Sequence, residues 1–221
     1  MTADYGYWGA DLTACLMCLT QKMSSLAYLY QDGDPALDGK LTAEQDGLKL
    51  RHMPSLWELA SYLWSPVSCL VGPFQEFTSY RAFIEQKGVY ERIPFTPVKA
   101  FLHWSTGFIC IVIVTTSEAW GYTPEVASSG EFYYRSFWTK FWFCKVVVYA
   151  IRAKYYTMFL FQKGNLRAAG VSYNGLDEQG RHRWDSVVPV DIVKIEFATS
   201  FRDALDSWNH QSAVWLRRYV Y

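Results

Sequence analysis

Four histidines, five cysteines and a handful of asparagines are the residues of this 221-residue chain with the most obvious chemistry, and only one of them has a telling setting. His52, His103, His182 and His210 show neither H-E-x-x-H nor any other metal-ligand spacing, and no G-x-S-x-G nucleophile elbow occurs. Cys15-x-x-Cys18 has redox or zinc spacing. It lies in L-T-A-C-L-M-C-L-T with no second pair, so it reads as apolar core, as do Cys69, Cys110 and Cys144. The exception is Asn209, in the closing stretch S-F-R-D-A-L-D-S-W-N-H-Q-S-A-V-W-L-R-R-Y-V-Y. Ser200-x-x-Asp203 has capping-box spacing, with Asp replacing the usual Glu, and predicts a helix over about 201–221. On such a helix Phe201, Trp208 and Trp215 recur on one aromatic stripe, and Leu205, Asn209, Ala213 and Leu216 form the adjoining one. His210, turned about 100° further, shares a polar face with Asp203, Asp206 and Arg217. A buried amide must be hydrogen-bonded, so Asn209 is either a structural lock or part of a site. Arg217 and Arg218 can cap the last carbonyls or meet a phosphate.

The elements that must position this stretch are four apolar segments, about 9–30, 56–77, 98–116 and 137–161, divided by polar, turn-rich connections. The second is interrupted by Pro66 and Gly72-Pro73, so it kinks or re-enters. The third holds the most apolar run, F-I-C-I-V-I-V. The fourth is long and aromatic and carries Lys140, Lys145, Arg152 and Lys154. A spanning helix needs about 20 mainly apolar residues. Each charge at mid-bilayer costs about 2.5–3.5 kcal/mol on insertion scales, so these segments need snorkelling, partner helices or a polar cavity. The pattern predicts an all-α polytopic transmembrane bundle with a wet interior, closed by the aromatic-striped helix. Its alternative is a soluble, aromatic-rich helical domain. A polar loop over about 164–191 leads to the last helix and turns at Asn174-Gly175. It has neither a P-loop nor a dinucleotide fingerprint.

Composition agrees with a membrane setting. Aromatics are 18% of the chain, a density suited to rings with one end dry and the other wet. Mean hydropathy is close to zero because very polar loops offset the apolar segments. Net charge is zero, so nothing points to nucleic acid as a partner. No metal and no bound cofactor is expected.

The pattern W-N-x(5)-W-L-R-R-Y-V-Y over 208–221 resembles the asparagine motif of the membrane-bound O-acyltransferase (MBOAT) family, and most closely its lysophospholipid acyltransferase branch. Other stretches agree in order: K-M-S-S-L-A-Y-L-Y-Q-D-G (22–33), P-S-L-W-E-L followed by V-G-P-F-Q-E-F-T-S-Y (within 54–80), G-V-S-Y-N-G (170–175), R-W-D (183–185) and V-D-I-V-K-I-E-F-A-T-S-F (190–201). The resemblance implies that 1–221 is part of a single membrane domain, and it implies transfer of a fatty acyl group from acyl-CoA to the free hydroxyl of a lysophospholipid. Acyl-CoA would be a co-substrate, membrane lipid a partner and the endoplasmic reticulum the location.

In such enzymes an asparagine and a downstream histidine act together, the histidine as general base. Asn209 matches the asparagine. No residue here matches the histidine, and His210 does not replace it, so the chain is expected to be a central fragment that is inactive alone. Substrate contacts are expected from Trp208, Trp215, Arg218 and Tyr219, and from Tyr173 and Asn174 in the loop. Two other readings remain at this point: a non-catalytic polytopic protein such as a transporter or scaffold, and a family member acting on a protein or sterol.

Overall fold

The computed structural model describes residues 12–68, 72 and 74–221, with side chains from Cys15 onward. Its helices are α1 (Leu12–Asp32), α2 (Ala43–Leu48), α3 (Leu56–Leu63), α4 (Phe77–Ile84), α5 (Pro97–Ala119), α6 (Pro124–Ala127), α7 (Gly130–Tyr133), α8 (Phe137–Ala169), α9 (Ile192–Glu196), α10 (Phe201–Ser207) and α11 (His210–Tyr219). Among the described residues there is no strand, only an isolated bridge between Leu176 and His182. The described part of the chain is therefore all-helical. Helix starts follow the side-chain chemistry. Ser55 and Thr42 form capping boxes with Glu58 and Gln45, and Ser136 and Ser200 accept from the amides of Thr139 and Asp203. The 33-residue α8 stops at Gly170, whose left-handed φ of 85° suits glycine.

The chain divides into two compact units. The first comprises Met1–Ile93, Tyr173–Val188 and Asn209–Tyr221. Its core gathers Leu26 and Leu29 of α1, Leu50, Tyr62 of α3, and Phe77 and Tyr80 of α4. Tyr62 meets the Phe77 ring edge-on at 5.2 Å, an arrangement that adds about 1 kcal/mol to area burial. The Leu50 amide donates to Leu29 O at 2.8 Å. That bond brings the Leu50 carbonyl so near Gly33 that a Cβ there would lie 1.8 Å from the oxygen. Only glycine fits.

The second unit comprises Pro94–Ser172 and Pro189–Trp208. Its centre is the antiparallel pair α5 and α8, matched through Thr96 with Arg167 and Trp104 with Asn165. Small residues let the two helices close up. A Cβ on Gly164 would lie 2.3 Å from the Trp104 indole nitrogen, and one on Gly107 would lie 3.0 Å from the Phe161 ring. Cys110, Val114, Ala153, Tyr156 and Leu160 form the core, with Ile192, Ile195 and Trp208 packed onto it.

The structure redraws several sequence expectations. Of the four apolar segments, the third becomes α5, which is the one helix among the described residues long and apolar enough to cross a membrane. The first becomes α1 from Leu12, and residues 9–11 lie outside the described residues. The second divides into the short helices α3 and α4, as Pro66 and Gly72 foreshadow. The fourth runs on to Ala169 and is too rich in charge to pass the same test.

Two expectations are corrected. The helix over 201–221 is not continuous: it breaks at Trp208 and Asn209, because Asn209 takes a left-handed backbone at φ 49°, ψ 54°. The dry-face and wet-face assignments built on continuity fall with it, for Asn209 and His210 are both half-buried, while Phe201 is exposed. Of the cysteines, Cys110 is buried, Cys15 and Cys18 are half-buried and Cys144 is exposed on α8. Cys69 lies outside the described residues.

Candidate functional site

Asn209 opens α11 as its N-cap residue, yet its side chain makes no capping bond. Asparagine tolerates left-handed backbone better than other non-glycine residues. The departure still costs on the order of 1 kcal/mol, and such strain persists where the surroundings over-determine it. The amide offers a carbonyl acceptor and two N–H donors, able to polarise a carbonyl or orient a hydroxyl.

What over-determines Asn209 is visible in the first unit. α1 and α11 run parallel and meet at three matched positions. Gln21 Nε2 donates to Ser212 Oγ at 2.9 Å. One turn on, Trp215 Nε1 donates to Ser24 Oγ at 3.2 Å. One turn further, the Tyr28 and Tyr219 rings stack at 5.5 Å. Spacings of three and four on both helices put these groups on facing stripes. Next to Asn209, the buried Gln211 donates to the Ser186 carbonyl at 3.4 Å.

The far end of α11 is fastened by charge. Arg218 pairs with Glu76 and Glu44 at once, and Tyr219 Oη lies 2.9 Å from both oxygens of Glu76. Glu76 is 9% exposed. Its burial pushes the carboxyl pKa up, and Arg218 and Tyr219 oppose that rise. Burial alone would lower the Arg218 pKa; the two carboxylates outweigh it and hold the guanidinium charged. Nearby, the fully buried Lys22 caps the end of α3. Its Nζ donates to the carbonyls of Tyr62 (2.8 Å) and Leu63 (3.2 Å) and to Ser68 Oγ (2.8 Å). A cation at a helix C-terminus answers both the open carbonyls and the dipole.

The loop residues Tyr173 and Asn174 belong to a hairpin in this same unit. The Asn174 amide donates to Arg183 O (3.0 Å) and the Arg183 amide to Gly175 O (2.9 Å). Tyr173 is buried, with its hydroxyl 3.1 Å from His182 Nδ1 and its ring against Trp184. The Asn174 side chain donates to Asp185, which also pairs with Arg183.

Trp208 belongs to the second unit. There its indole packs among Tyr155, Tyr156 and Phe159 of α8, with centroids 5.7, 6.0 and 5.8 Å away. Tyr156 donates to Glu196 at 2.6 Å, and Arg152 pairs with the same carboxylate at 3.2 Å.

Of the residues singled out from sequence, the structure gathers Asn209, Trp215, Arg218 and Tyr219 on one short helix. Tyr173 and Asn174 it places in the hairpin, and Trp208 in a separate aromatic cluster. Sequence reading missed Gln21, Ser24, Lys22 and Glu76. Gln21, Ser24 and Tyr28 do share a polar–aromatic stripe in an otherwise apolar segment, and that was the available signal. Glu76 carried none, since it lies 142 residues from Arg218.

The family to which this architecture belongs is shown by comparison. The family model of the membrane-bound O-acyltransferases matches residues 3–221, and the chain belongs to that family. It is 34% identical over 99% of its length to the mouse membrane-bound glycerophospholipid O-acyltransferase 2. It is 30% identical over 99% to Drosophila melanogaster lysophospholipid acyltransferase 6, and 29% identical over 96% to a lysophospholipid acyltransferase of Schizosaccharomyces pombe. The chain spans less than half the length of these relatives: 45%, 32% and 43% respectively.

Proposed function

We propose that this chain is part of an enzyme that moves a fatty acyl group from acyl-CoA to the free hydroxyl of a lysophospholipid. The observation that carries the reading is the alignment of nearly the whole chain with proteins named as glycerophospholipid and lysophospholipid acyltransferases. In this reading α5 is one span of a single polytopic helical domain in the endoplasmic reticulum membrane.

The reaction is acyl substitution. The acceptor hydroxyl oxygen attacks the thioester carbonyl, its proton passes to a general base, and the C–S bond breaks to release CoA thiol. In this reading Asn209 donates from its amide to the developing oxyanion or orients the hydroxyl. Arg218 and Tyr219 are already committed to Glu76, so they serve as positioning residues that fix α11. Tyr173 and Asn174 similarly shape the hairpin through His182 and Asp185. The general base is assigned to no residue of this chain.

The test uses membranes from cells expressing the native protein, supplied with labelled acyl-CoA and a panel of lysophospholipids, a sterol and an acceptor peptide. Wild-type protein is expected to form diacyl phospholipid, and Asn209→Ala to lower kcat by about 10²-fold. Label in the sterol or peptide alone, or full activity in Asn209→Ala, overturns the reading.

A further inference from the structure

In the second unit, the end of α5 at Ala119 lies beside the start of α8 at Phe137, opposite the end held by the Thr96–Arg167 bond. The connection between them, with the single-turn helices α6 and α7, folds back over the first turns of α8. Phe143 holds it there, with its ring 5.1 Å from Tyr122 and 4.8 Å from the buried Phe132. Lys140 adds a polar tie by donating to the Tyr133 carbonyl at 2.5 Å.

This end is rich in rings that the fold leaves open. Trp120, Tyr133, Tyr134, Phe137, Trp138 and Trp142 are all exposed. The 23 residues of α5 extend about 35 Å, enough for a hydrocarbon core of about 30 Å, and Trp120 follows directly after them. Trp and Tyr collect at the level where hydrocarbon gives way to headgroups.

Among these rings lies a cavity of about 440 Å³, bordered by Trp120, Tyr122, Arg135, Thr139, Trp142 and Phe143. Small-molecule sites span about 300–1,000 Å³. The Arg135 guanidinium, the Trp120 and Trp142 indole N–H groups and the Tyr122 hydroxyl have no hydrogen-bond or ion-pair partner among the described residues. A guanidinium matches phosphate in shape and charge, and the faces of Trp and Tyr attract an ammonium group. The exposed Glu118, Glu125 and Glu131 stand on the same stretch. With Arg135 and Lys140 they leave it without an excess of positive charge. That disfavours an anionic lipid and suits a headgroup carrying both signs.

Resting on the reading of α5 as a membrane span, and not on the acyl-transfer reaction, we propose that this cavity seats the headgroup of a zwitterionic bilayer phospholipid, its phosphate at Arg135 and its ammonium against Trp120 and Trp142. In this role the lipid is bound and not converted. It fixes the depth at which α5 and α8 leave the membrane.

The experiment places the full-length native protein in phosphatidylglycerol nanodiscs. They contain a trace of phosphatidylcholine carrying a photoactivatable diazirine on its headgroup or, separately, at mid-chain, and adducts are mapped by peptide mass spectrometry. Headgroup adducts are expected to concentrate on residues 120–142. They should fall about tenfold in Arg135→Gln, which loses a charge-assisted contact, and persist in Arg135→Lys. Arg135 is exposed, so neither substitution disturbs the core. A phosphatidylglycerol headgroup probe should label the same residues weakly. Equal labelling of wild type and Arg135→Gln, or stronger labelling by the phosphatidylglycerol probe, overturns the seat. Mid-chain adducts on the exposed Phe108, Ile109 and Val112 of α5 locate such a failure. If they are present, the span stands and the seat alone falls; if absent, α5 is outside the bilayer and the seat falls with it. Asn209→Ala controls for lipid held as a reaction product: unchanged labelling supports the seat, and labelling lost there assigns the lipid to the reaction and overturns it.

Discussion

The two units hold their helices by different physics. In the first unit, α11 is fixed to its neighbours by directional polar contacts: Gln21 to Ser212, Ser24 to Trp215, and Glu76 to Arg218 and Tyr219. In the second, α5 and α8 are joined by close approach, with glycines at 107 and 164 admitting Phe161 and Trp104. Hydrogen bonds and ion pairs fix a register, since sliding by one residue breaks every one. Close packing of small against large side chains brings backbones together with less demand on any single group. The helix that begins at Asn209 is the one held by register. On the proposed reading the Asn209 amide meets a reacting atom, which demands placement to within a fraction of an ångström.

The sharpest way to break this contrast is to remove Glu76. Glu76→Ala leaves the Arg218 guanidinium and the Tyr219 hydroxyl without their buried partner. Breaking a buried pair from one side costs about 3 kcal/mol, which is expected as a large fall in the thermal midpoint of the detergent-solubilised protein. The second carboxylate on Arg218 provides the control. The Glu44 side chain is 62% exposed, and Glu44→Ala should cost under about 1 kcal/mol. Equal effects from the two substitutions would mean that burial, and with it the directional account of α11, has been misjudged.

The second unit should answer to volume instead. Gly164→Ala puts a methyl group into the Trp104 indole, a rigid ring that has to tilt or push α5 away. Overpacking of this kind costs about 1–3 kcal/mol. Asn165→Ala, which removes only the 3.1 Å bond from Trp104, should cost about 1 kcal/mol. Comparing the two by thermal denaturation checks the assignment, because a larger loss from Asn165→Ala would show that the α5–α8 pair also depends on polar contacts.

How much of this the sequence contained depends on range. The starts of α3, α8 and α10 were written locally, in Ser55, Ser136 and Ser200 and the residues three positions on. The apolar length of α5 was equally local, being a property of consecutive apolar residues. The helix break was not legible. W-N-H-Q contains no proline or glycine, and a left-handed asparagine looks no different in a sequence from a helical one. The link from Glu76 to Arg218 was out of reach for the same reason that it matters, since it joins residues far apart in the chain. The stripe of Gln21, Ser24 and Tyr28 was visible in hindsight, but only the facing stripe of Ser212, Trp215 and Tyr219 gives it meaning. For the candidate site, the motif singles out Asn209, whereas the contacts that hold α11 come from tertiary structure alone.

The smallest effect expected concerns the hairpin, where polar contacts act near the surface. Burial alone would raise the Asp185 pKa; the bonds from Arg183 and Asn174 outweigh it and hold the carboxyl below the ordinary 3.8. A carboxylate whose folded pKa is depressed adds stability above its unfolded value and loses it as pH falls through the folded one. The hairpin should therefore keep full protection of the Asn174 and Arg183 amides at neutral pH and begin to lose it below about pH 4. Hydrogen exchange, corrected for the intrinsic rate at each pH, reads this directly. Asp185→Asn should lower the neutral protection slightly and remove its acid dependence. An acid dependence unchanged in Asp185→Asn would assign it to another carboxylate, and Asp177, which accepts from the Gln179 and Arg181 amides in the same turn, is the next to replace.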